Sequence, residues 1–280
     1  MNADELRAWI GREEIRDDVA TAAPLRGLAA TLDRETPFEA GDEVPPLWHW
    51  TYFLPSPTTS QLGVDGHPKK GGFLPPIALP RRMWAGSRIQ FLRPLRVGDA
   101  ISRRSTVVDI VTKDGRTGPL YFVKVRHEVQ TAGATAILEE QDIVYRQPPS
   151  AAASTTTPAK APVDAIWRRR IEPSPVLLFR YSALTFNSHR IHFDRPYAEQ
   201  EEGYRGLVVH GSLVATLLLD LVRREQPRAQ IREYSFRAVR PLLDTARFWV
   251  CGAPQDDGTL HLWAEDSGGD VATDATVRLG

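Results

Sequence analysis

The sequence predicts an α+β fold made of two similar halves, each an antiparallel sheet curled around one helix. Three observations predict this fold. A stretch rich in Pro, Ala, Ser and Thr divides the 280 residues near their middle, one helix of the second half is apolar on nearly every side, and strand-like segments alternate with turn sequences. With 42% hydrophobic residues, the chain can bury a substantial core.

The dividing stretch extends from Pro148 to Pro162 and contains too few large apolar residues to pack into a core. It predicts a linker, residues 148–162. The linker separates an N-terminal half, residues 1–147, from a C-terminal half, residues 163–280.

In the first half, apolar residues at helical spacing predict two helices, near residues 3–10 and 22–32. Residues 63–80 are so dense in Gly and Pro that they predict a long loop, and compact domains usually keep such a loop for a reason. Two β-rich segments, residues 121–129 and 135–145, predict strands, with a turn at residues 113–116 before them.

In the second half, a helix from Leu213 to Arg223 is apolar on nearly every side and is therefore predicted to be buried all round. Four strands are predicted after it, at residues 232–239, 246–252, 259–265 and 271–278. One buried helix beside a meander of strands fits the hot-dog arrangement better than a sandwich or a doubly wound sheet. Two such halves make a double hot-dog.

A short internal repeat supports duplication of one unit. Arg93-Pro94-Leu95, with Asp99 beyond it, and Arg240-Pro241-Leu242, with Asp244 beyond it, occur at the same stage of both halves.

Bulk properties exclude several classes of function. Lys plus Arg equals Asp plus Glu, at 35 each, so the overall charge points neither to nucleic acid nor to an anionic membrane. No apolar run approaches the roughly 20 residues that span a bilayer, and the start of the chain lacks a signal sequence, so we expect a cytoplasmic protein. Cys251, the single cysteine, excludes an internal disulfide and a cysteine-based zinc cluster, and it is predicted to be a small core residue.

The candidate chemistry lies between Tyr181 and Gly211, where imidazole and polar groups gather between two apolar elements. Asn187 and His192 are five positions apart, so they can converge only if the chain bends between them. Gly211 allows a ligand to approach the backbone at the start of the buried helix, where Ser212 is a candidate N-cap and free N–H groups face the ligand.

Residues 186–194, Phe-Asn-Ser-His-Arg-Ile-His-Phe-Asp, and the following Val209-His210-Gly211-Ser212-Leu213 resemble the R-specific, MaoC-like enoyl-thioester hydratases. Residues 186–194 in particular are similar to the branch of type 2 hydroxyacyl-thioester dehydratases and mesaconyl-CoA or itaconyl-CoA hydratases. The resemblance extends more loosely to residues 81–86 and 93–99. It implies a double hot-dog whose first half has lost its catalytic residues, and it places the catalytic Asp and His of the broader family at Asn187 and His192.

This resemblance predicts hydration of a 2,3-enoyl-CoA to a 3-hydroxyacyl-CoA, with a short branched or dicarboxylic acyl group. His192 is the predicted base and the Gly211 N–H the predicted donor to the enolate oxygen. An amide cannot exchange a proton as a carboxylate can, so Asn187 is predicted only to orient water or the thioester. CoA belongs to the substrate, so no cofactor is expected, and we expect a homo-oligomer, with a dimer favoured.

Six further residues are predicted to bind the substrate. His189 and His210 would shape the pocket, while Arg190 would either pair with Asp194 or bind a second substrate carboxylate. Arg81 and Arg82, beside Trp84, would meet the CoA phosphates and adenine, or else lie on a solvated loop. No metal is predicted, because no acidic or thiolate ligand accompanies the histidines at a familiar spacing.

Two other functions remain open at this point. His192 could activate water toward the thioester carbonyl, which would make the protein a thioesterase. Alternatively, the presence of Asn187 where the broader family has its catalytic Asp could indicate a non-catalytic acyl-CoA-binding protein.

Overall fold

A computed structural model of the protein describes residues 3–115, 118–147 and 159–280. Most of the predicted linker, residues 148–158, and the last residue of the predicted 113–116 turn lie outside the described residues. The first half consists of α1 (Ala3–Arg7), β1 (Glu13–Val19), α2 (Ala22–Thr31), β2 (Arg81–Phe91), β3 (Ala100–Gly115), β4 (Gly118–Thr131) and β5 (Ala134–Arg146). The second half consists of β6 (Trp167–Ile171), α3 (Pro175–Leu184), α4 (Gly211–Glu225), β7 (Ile231–Ala238), β8 (Phe248–Pro254), β9 (Thr259–Glu265) and β10 (Val271–Leu279).

All these strands form one antiparallel sheet of 10 strands, in the order β1-β3-β4-β5-β2-β7-β10-β9-β8-β6. Read outward from the junction of β2 with β7, both halves follow the same path, because β5, β4, β3 and β1 correspond to β10, β9, β8 and β6. The predicted duplication of one α+β unit therefore agrees with the topology.

The repeated Arg-Pro-Leu sequences occupy equivalent turns. The N–H groups of Leu92 and Arg93 both donate to the Ala136 carbonyl, at 2.8 and 3.1 Å, and those of Val239 and Arg240 both donate to Ala272, again at 2.8 and 3.1 Å. The same backbone geometry thus recurs after β2 and after β7.

The central helix α4 is buried as predicted, since every residue from Leu213 to Val222 is buried. It packs against β8, β9 and β10, so the second half of the sheet curls around it. The helix begins at Gly211 with His210 at the N-cap position, so the prediction of Ser212 as the N-cap was wrong. The Val214 N–H closes the first turn on the His210 carbonyl at 3.0 Å.

Several elements differ from the sequence predictions. Helix α1 ends at Arg7 rather than near Ile10, and α3 and the strands β1, β2, β3 and β6 were not predicted. The outermost strands, β1 and β6, contain more charged than apolar residues, which is typical of edge strands but hides the usual strand pattern. Strand β2 is interrupted by a bulge between Trp84 and Gly86.

Two further predictions concern single features. Within the described ranges, no helix is long and apolar enough to cross a membrane. Cys251 is fully buried beside Trp263 and packs as the small core residue that was predicted.

Candidate active site

The segment after α3 reverses direction and carries the candidate catalytic groups. Ser174 caps the start of α3 by accepting from the Leu177 N–H at 3.2 Å, and the helix ends at Leu184. Phe186 then adopts a left-handed conformation, with φ of 46°, and the chain enters a 3₁₀ turn at Arg190–His192. The bend predicted between Asn187 and His192 is therefore present.

His192 is held as a neutral imidazole with one free nitrogen. Its Nδ1 lies 2.7 Å from the Val208 carbonyl oxygen, and because a carbonyl can only accept, Nδ1 carries the proton. The ring is buried, and burial lowers the pKa of His192 to about 4 although the bond to Val208 opposes this. Near pH 7, Nε2 therefore offers an unprotonated lone pair.

Four imidazoles form a continuous row through the site. The ring of His67 lies 3.9 Å from that of His189, His189 meets His192 edge-on at 5.4 Å, and His192 stacks on His210 at 3.7 Å. The Ser182 hydroxyl meets Nε2 of His210 at 2.8 Å and closes the row at one end. Burial lowers the pKa of His189 and that of His210, so the row is uncharged at neutral pH.

Asn187 has its side-chain oxygen engaged in a local turn. The His189 N–H donates to Asn187 Oδ1 at 3.0 Å, a contact that Asn commonly makes two residues ahead. The half-buried amide group can still offer its N–H donors to a ligand. This arrangement fits an orienting role and leaves proton transfer to other groups.

Gly211 opens the N-terminus of α4 directly beside the imidazole row, since it follows His210 in the chain. It is exposed, and no atom lies within 4 Å of the place where a Cβ would stand. The N–H groups of the first helical turn have no partner within a helix and lie at the positive end of its dipole. An anionic oxygen placed there would meet donors without having to displace a side chain.

The predicted long loop, residues 63–80, contains no strand or helix and docks on the catalytic segment. The Arg190 N–H donates to the Asp65 carbonyl at 2.9 Å, and the Ser188 hydroxyl donates to the Gly66 carbonyl at 2.6 Å. Gly66 has a φ of +85°, and a Cβ on it would lie 1.9 Å from the Ser188 carbonyl oxygen. Only glycine allows this close approach.

The loop thereby adds Asp65 and His67, which sequence reasoning did not single out. His67 Nδ1 lies 3.1 Å from Asp65 Oδ2, and the His67 N–H donates to Oδ1 at 3.0 Å. Burial raises the pKa of Asp65, but the hydrogen bonds from His67 outweigh this and hold the pKa below its usual range. The density of Gly and Pro was the one signal in the sequence that this loop mattered.

Asp65, His67 and His189 each place a potential ligand atom within 4.8 Å of the others, a geometry that could hold a metal ion. No acidic residue accompanies His189 at a familiar spacing along the sequence, but folding brings Asp65 to it from a distant loop. The imidazole and carboxylate already bond each other, so the cluster is satisfied without an ion.

Arg190 is committed to partners of its own chain. Its Nε and Nη2 donate to Asp194 Oδ2 at 2.9 and 2.7 Å, Nη1 donates to the Val64 carbonyl at 3.0 Å, and the guanidinium lies 4.1 Å from the Tyr197 ring. The predicted pair with Asp194 is confirmed. Arg190 is thus poorly placed for a second substrate carboxylate.

Arg81 and Arg82 open β2 and do not lie on a solvated loop. Arg81 pairs with Glu202, with Nε 3.2 Å from Oε2, and both arginines line a cleft that reaches His189. Trp84 packs edge-on against Trp50 at 4.8 Å, with its Nε1 donating to the Gly86 carbonyl at 3.0 Å. Trp84 is therefore partly buried and packs against the core.

Comparisons with known proteins agree with this geometry. The sequence profile of hydroxyacyl-thioester dehydratase type 2 matches residues 47–244. Mesaconyl-C(4)-CoA hydratase of Chloroflexus aurantiacus is 48% identical over 282 residues, which cover 100% of this chain and 100% of that protein.

Solved structures show the same fold. HtdX of Mycobacterium tuberculosis superposes with a TM-score of 0.69 at 21% identity, covering 96% of this chain and 100% of that one. A second protein of that organism, described as a double hot-dog, superposes with a TM-score of 0.61 at 12% identity and covers 96% of both chains. The predicted double hot-dog and the predicted family are thus both confirmed. The chain belongs to the hydroxyacyl-thioester dehydratase type 2 family of hydro-lyases.

Proposed function

We propose that the protein adds water reversibly across the C2–C3 double bond of a mesaconyl-C(4)-type CoA thioester, with His192 as the base. The observation that carries this proposal is the protonation state of His192. Its Nδ1–H is committed to the Val208 carbonyl, at 2.7 Å, and its buried ring leaves Nε2 as an acceptor beside the open start of α4. The 48% identity to a mesaconyl-C(4)-CoA hydratase supports the acyl group.

In the forward step, Nε2 of His192 takes a proton from water while the water oxygen bonds to C3. The electrons of the C2–C3 π bond move toward the thioester carbonyl and form an enolate. The Gly211 N–H, at the positive end of α4, donates to that oxygen, and a donor of this kind is typically worth roughly 100- to 1000-fold in rate.

Protonation of C2 then completes the addition. Because burial lowers the pKa of His192 to about 4, its imidazolium is a stronger acid than an ordinary histidine and returns the proton readily. The proton that left water thus reaches C2 through one side chain. Asn187 orients the water or the thioester through its amide and takes no part in proton transfer.

The remaining features belong to the same proposal. Residues 163–280 form the half that carries the base, residues 148–162 link it to residues 1–147, and the first half supplies residues that shape the site but no base. Every group in the proposed steps comes from the protein, water or the thioester, so no cofactor takes part. The functional unit is a homodimer, which light scattering coupled to gel filtration tests.

The direct test is an assay of purified protein with mesaconyl-C(4)-CoA, following enoyl absorbance and free thiol in parallel. Hydration predicts loss of absorbance without thiol release. Thiol release would assign the protein to the thioesterases, and tight binding without either signal would assign it to the non-catalytic binders.

A further inference from the structure

A cleft lined by two arginines, Arg81 and Arg82, and two carboxylates, Asp65 and Glu202, lies beside the imidazole row and takes no part in the steps described above. Asp65, Arg81, Arg82, His189, Ile191 and Tyr204 are among the residues that line it. Arg81 is neutralised by Glu202. Within the described ranges, by contrast, no carboxylate lies at ion-pairing distance from the half-buried guanidinium of Arg82. The Arg82 guanidinium can therefore accept an anionic partner without breaking an existing ion pair.

The surroundings of Arg82 are built to receive an anion. Tyr145 lies directly across from it in the β2–β5 pairing, so both side chains share one face of the sheet. Lys70 lies on the same side, with Nζ 5.9 Å from the Tyr145 ring centroid. The Tyr145 hydroxyl is fully buried, and it has no hydrogen-bond partner in the described part of the chain. Two cations and an unused hydroxyl therefore lie together.

The two carboxylates described in this cleft are already occupied, Glu202 by Arg81 and Asp65 by His67. Both oxygens of Asp65 accept hydrogen bonds from His67, at 3.0 and 3.1 Å. The charge of Arg82 also acts on His67 and His189 and helps to lower the pKa of each. Arg82 is therefore close to the row that contains His192, yet it lacks a counter-ion of its own.

We propose that Arg82 binds the free carboxylate of the acyl group and so selects dicarboxylic thioesters. This inference rests on the proposed function. In a mesaconyl-C(4) thioester the free carboxylate is attached to C3, the carbon that water attacks, so its counter-ion must lie next to the base. Arg82 lines the same cleft as His189, whose ring meets that of His192 at 5.4 Å, whereas Arg190 is committed to Asp194. A planar guanidinium also suits bidentate recognition of a carboxylate.

A CoA phosphate offers similar anionic oxygens, and a matched pair of ligands separates the two sources. Succinyl-CoA carries a carboxylate where butyryl-CoA carries a methyl group, and the CoA portions are identical. Neither has a double bond, so their dissociation constants are independent of hydration and can be measured by calorimetry even if mesaconyl-C(4)-CoA is not turned over.

The variants are Arg82→Gln, Arg82→Lys and, as a matched control, Arg93→Gln, which removes an exposed arginine from the turn after β2. We expect wild type and control to prefer succinyl-CoA by roughly ten- to a hundredfold, the range for hydrogen bonds to charged groups. Arg82→Gln should abolish that preference while it leaves butyryl-CoA binding within about twofold. Arg82→Lys should retain part of the preference.

Two outcomes would overturn the proposal. Equal weakening of both ligands would assign Arg82 to a CoA phosphate, and an unchanged preference would remove it from the site. If Arg82→Gln unfolds, Arg82→Lys provides the test instead. The proposal then predicts that loss of the bidentate guanidinium weakens the binding of succinyl-CoA more than that of butyryl-CoA. A wild type that binds succinyl-CoA through Arg82 but does not hydrate mesaconyl-C(4)-CoA would refute the proposed function alone.

Discussion

Replacement of His192 by Gln removes the proposed base while retaining a side-chain amide able to donate to the Val208 carbonyl. Loss of a positioned general base typically costs 10²- to 10⁴-fold, so we expect kcat to fall by about that factor. KM should change little, because the substrate contacts of the helix start and the cleft remain. Stopped-flow or steady-state absorbance with mesaconyl-C(4)-CoA measures both constants.

The role of His192 as a base also predicts how the wild-type rate depends on pH. With a pKa of about 4 in the folded protein, His192 is protonated in about one molecule in a thousand at pH 7. The wild-type rate should therefore lose no activity to protonation of this group between pH 8 and 5, and should fall about tenfold per unit below its pKa. Burial also lowers the pKa values of the neighbouring imidazoles, His67, His189 and His210.

The lowered pKa of His192 also predicts how the free energy of unfolding changes with pH. The pKa of His192 in the folded state lies below its unfolded value of about 6.5. Between pH 6.5 and 4, this histidine is therefore protonated in the unfolded chain but neutral in the folded protein. Stability is therefore intact above pH 6.5 and declines as the pH falls toward 4, by at most about 1.4 kcal/mol per unit for this group. Urea unfolding at several pH values should show a shallower decline for His192→Gln than for wild type.

The matched control is His261→Gln, since His261 is a partly exposed histidine that bonds Asp274 at 2.7 Å, in the sheet and away from the row. It should retain wild-type kcat. A His192→Gln enzyme with kcat within threefold of wild type, or a wild-type rate that falls through a pKa near 6.5, would refute the assignment of a buried neutral base.

Three further predictions test the rest of the site. The Gly211→Ala variant should fold normally, because a Cβ there meets no atom within 4 Å. It should nevertheless have a lower kcat/KM, because the added methyl group crowds the approach to the helix N-terminus. Thermal unfolding and initial rates test these two expectations. Gly66→Ala should destabilise the protein and impair activity more than Gly71→Ala, since both have positive φ but only the first adds a clash, 1.9 Å from Ser188; urea midpoints and rates compare the two. Asn187→Ala should lower kcat, while Asn187→Asp should raise the pH below which kcat declines, measured from pH–rate profiles.

The fold could be predicted in outline because its strongest signals are local. The buried helix α4, the meander from β7 to β10 and the repeated Arg-Pro-Leu turns all have patterns that a single segment displays. The edge strands β1 and β6 could not be predicted, because their position at the edge depends on how the other strands pair and leaves no pattern in their own sequences. Their charged residues are favourable only in that position.

The site was predicted only where one segment carries it. His192, Asn187 and Gly211 lie in or beside a recognisable motif, whereas Asp65 and His67 join them through tertiary contacts that no spacing along the chain records. Trp84 was predicted to lie with Arg81 and Arg82 near CoA, and its surroundings are likewise set by tertiary contacts. Its ring is covered by Trp50 and by Phe236, which comes from the other half.

The negative charge of the substrate carboxylate would explain both the amide at position 187 and the arginine without an ion pair at position 82. If the substrate brings a carboxylate on C3, a second carboxylate at position 187 would face it across the reacting carbon. Two unit charges about 4 Å apart near a protein surface repel by roughly 4 kcal/mol. An aspartate there would also raise the pKa of His192 and make its imidazolium a weaker donor to C2. An amide avoids both effects, so Asn187→Asp should weaken succinyl-CoA binding more than butyryl-CoA binding, a difference that the loss of a purely catalytic acid does not predict.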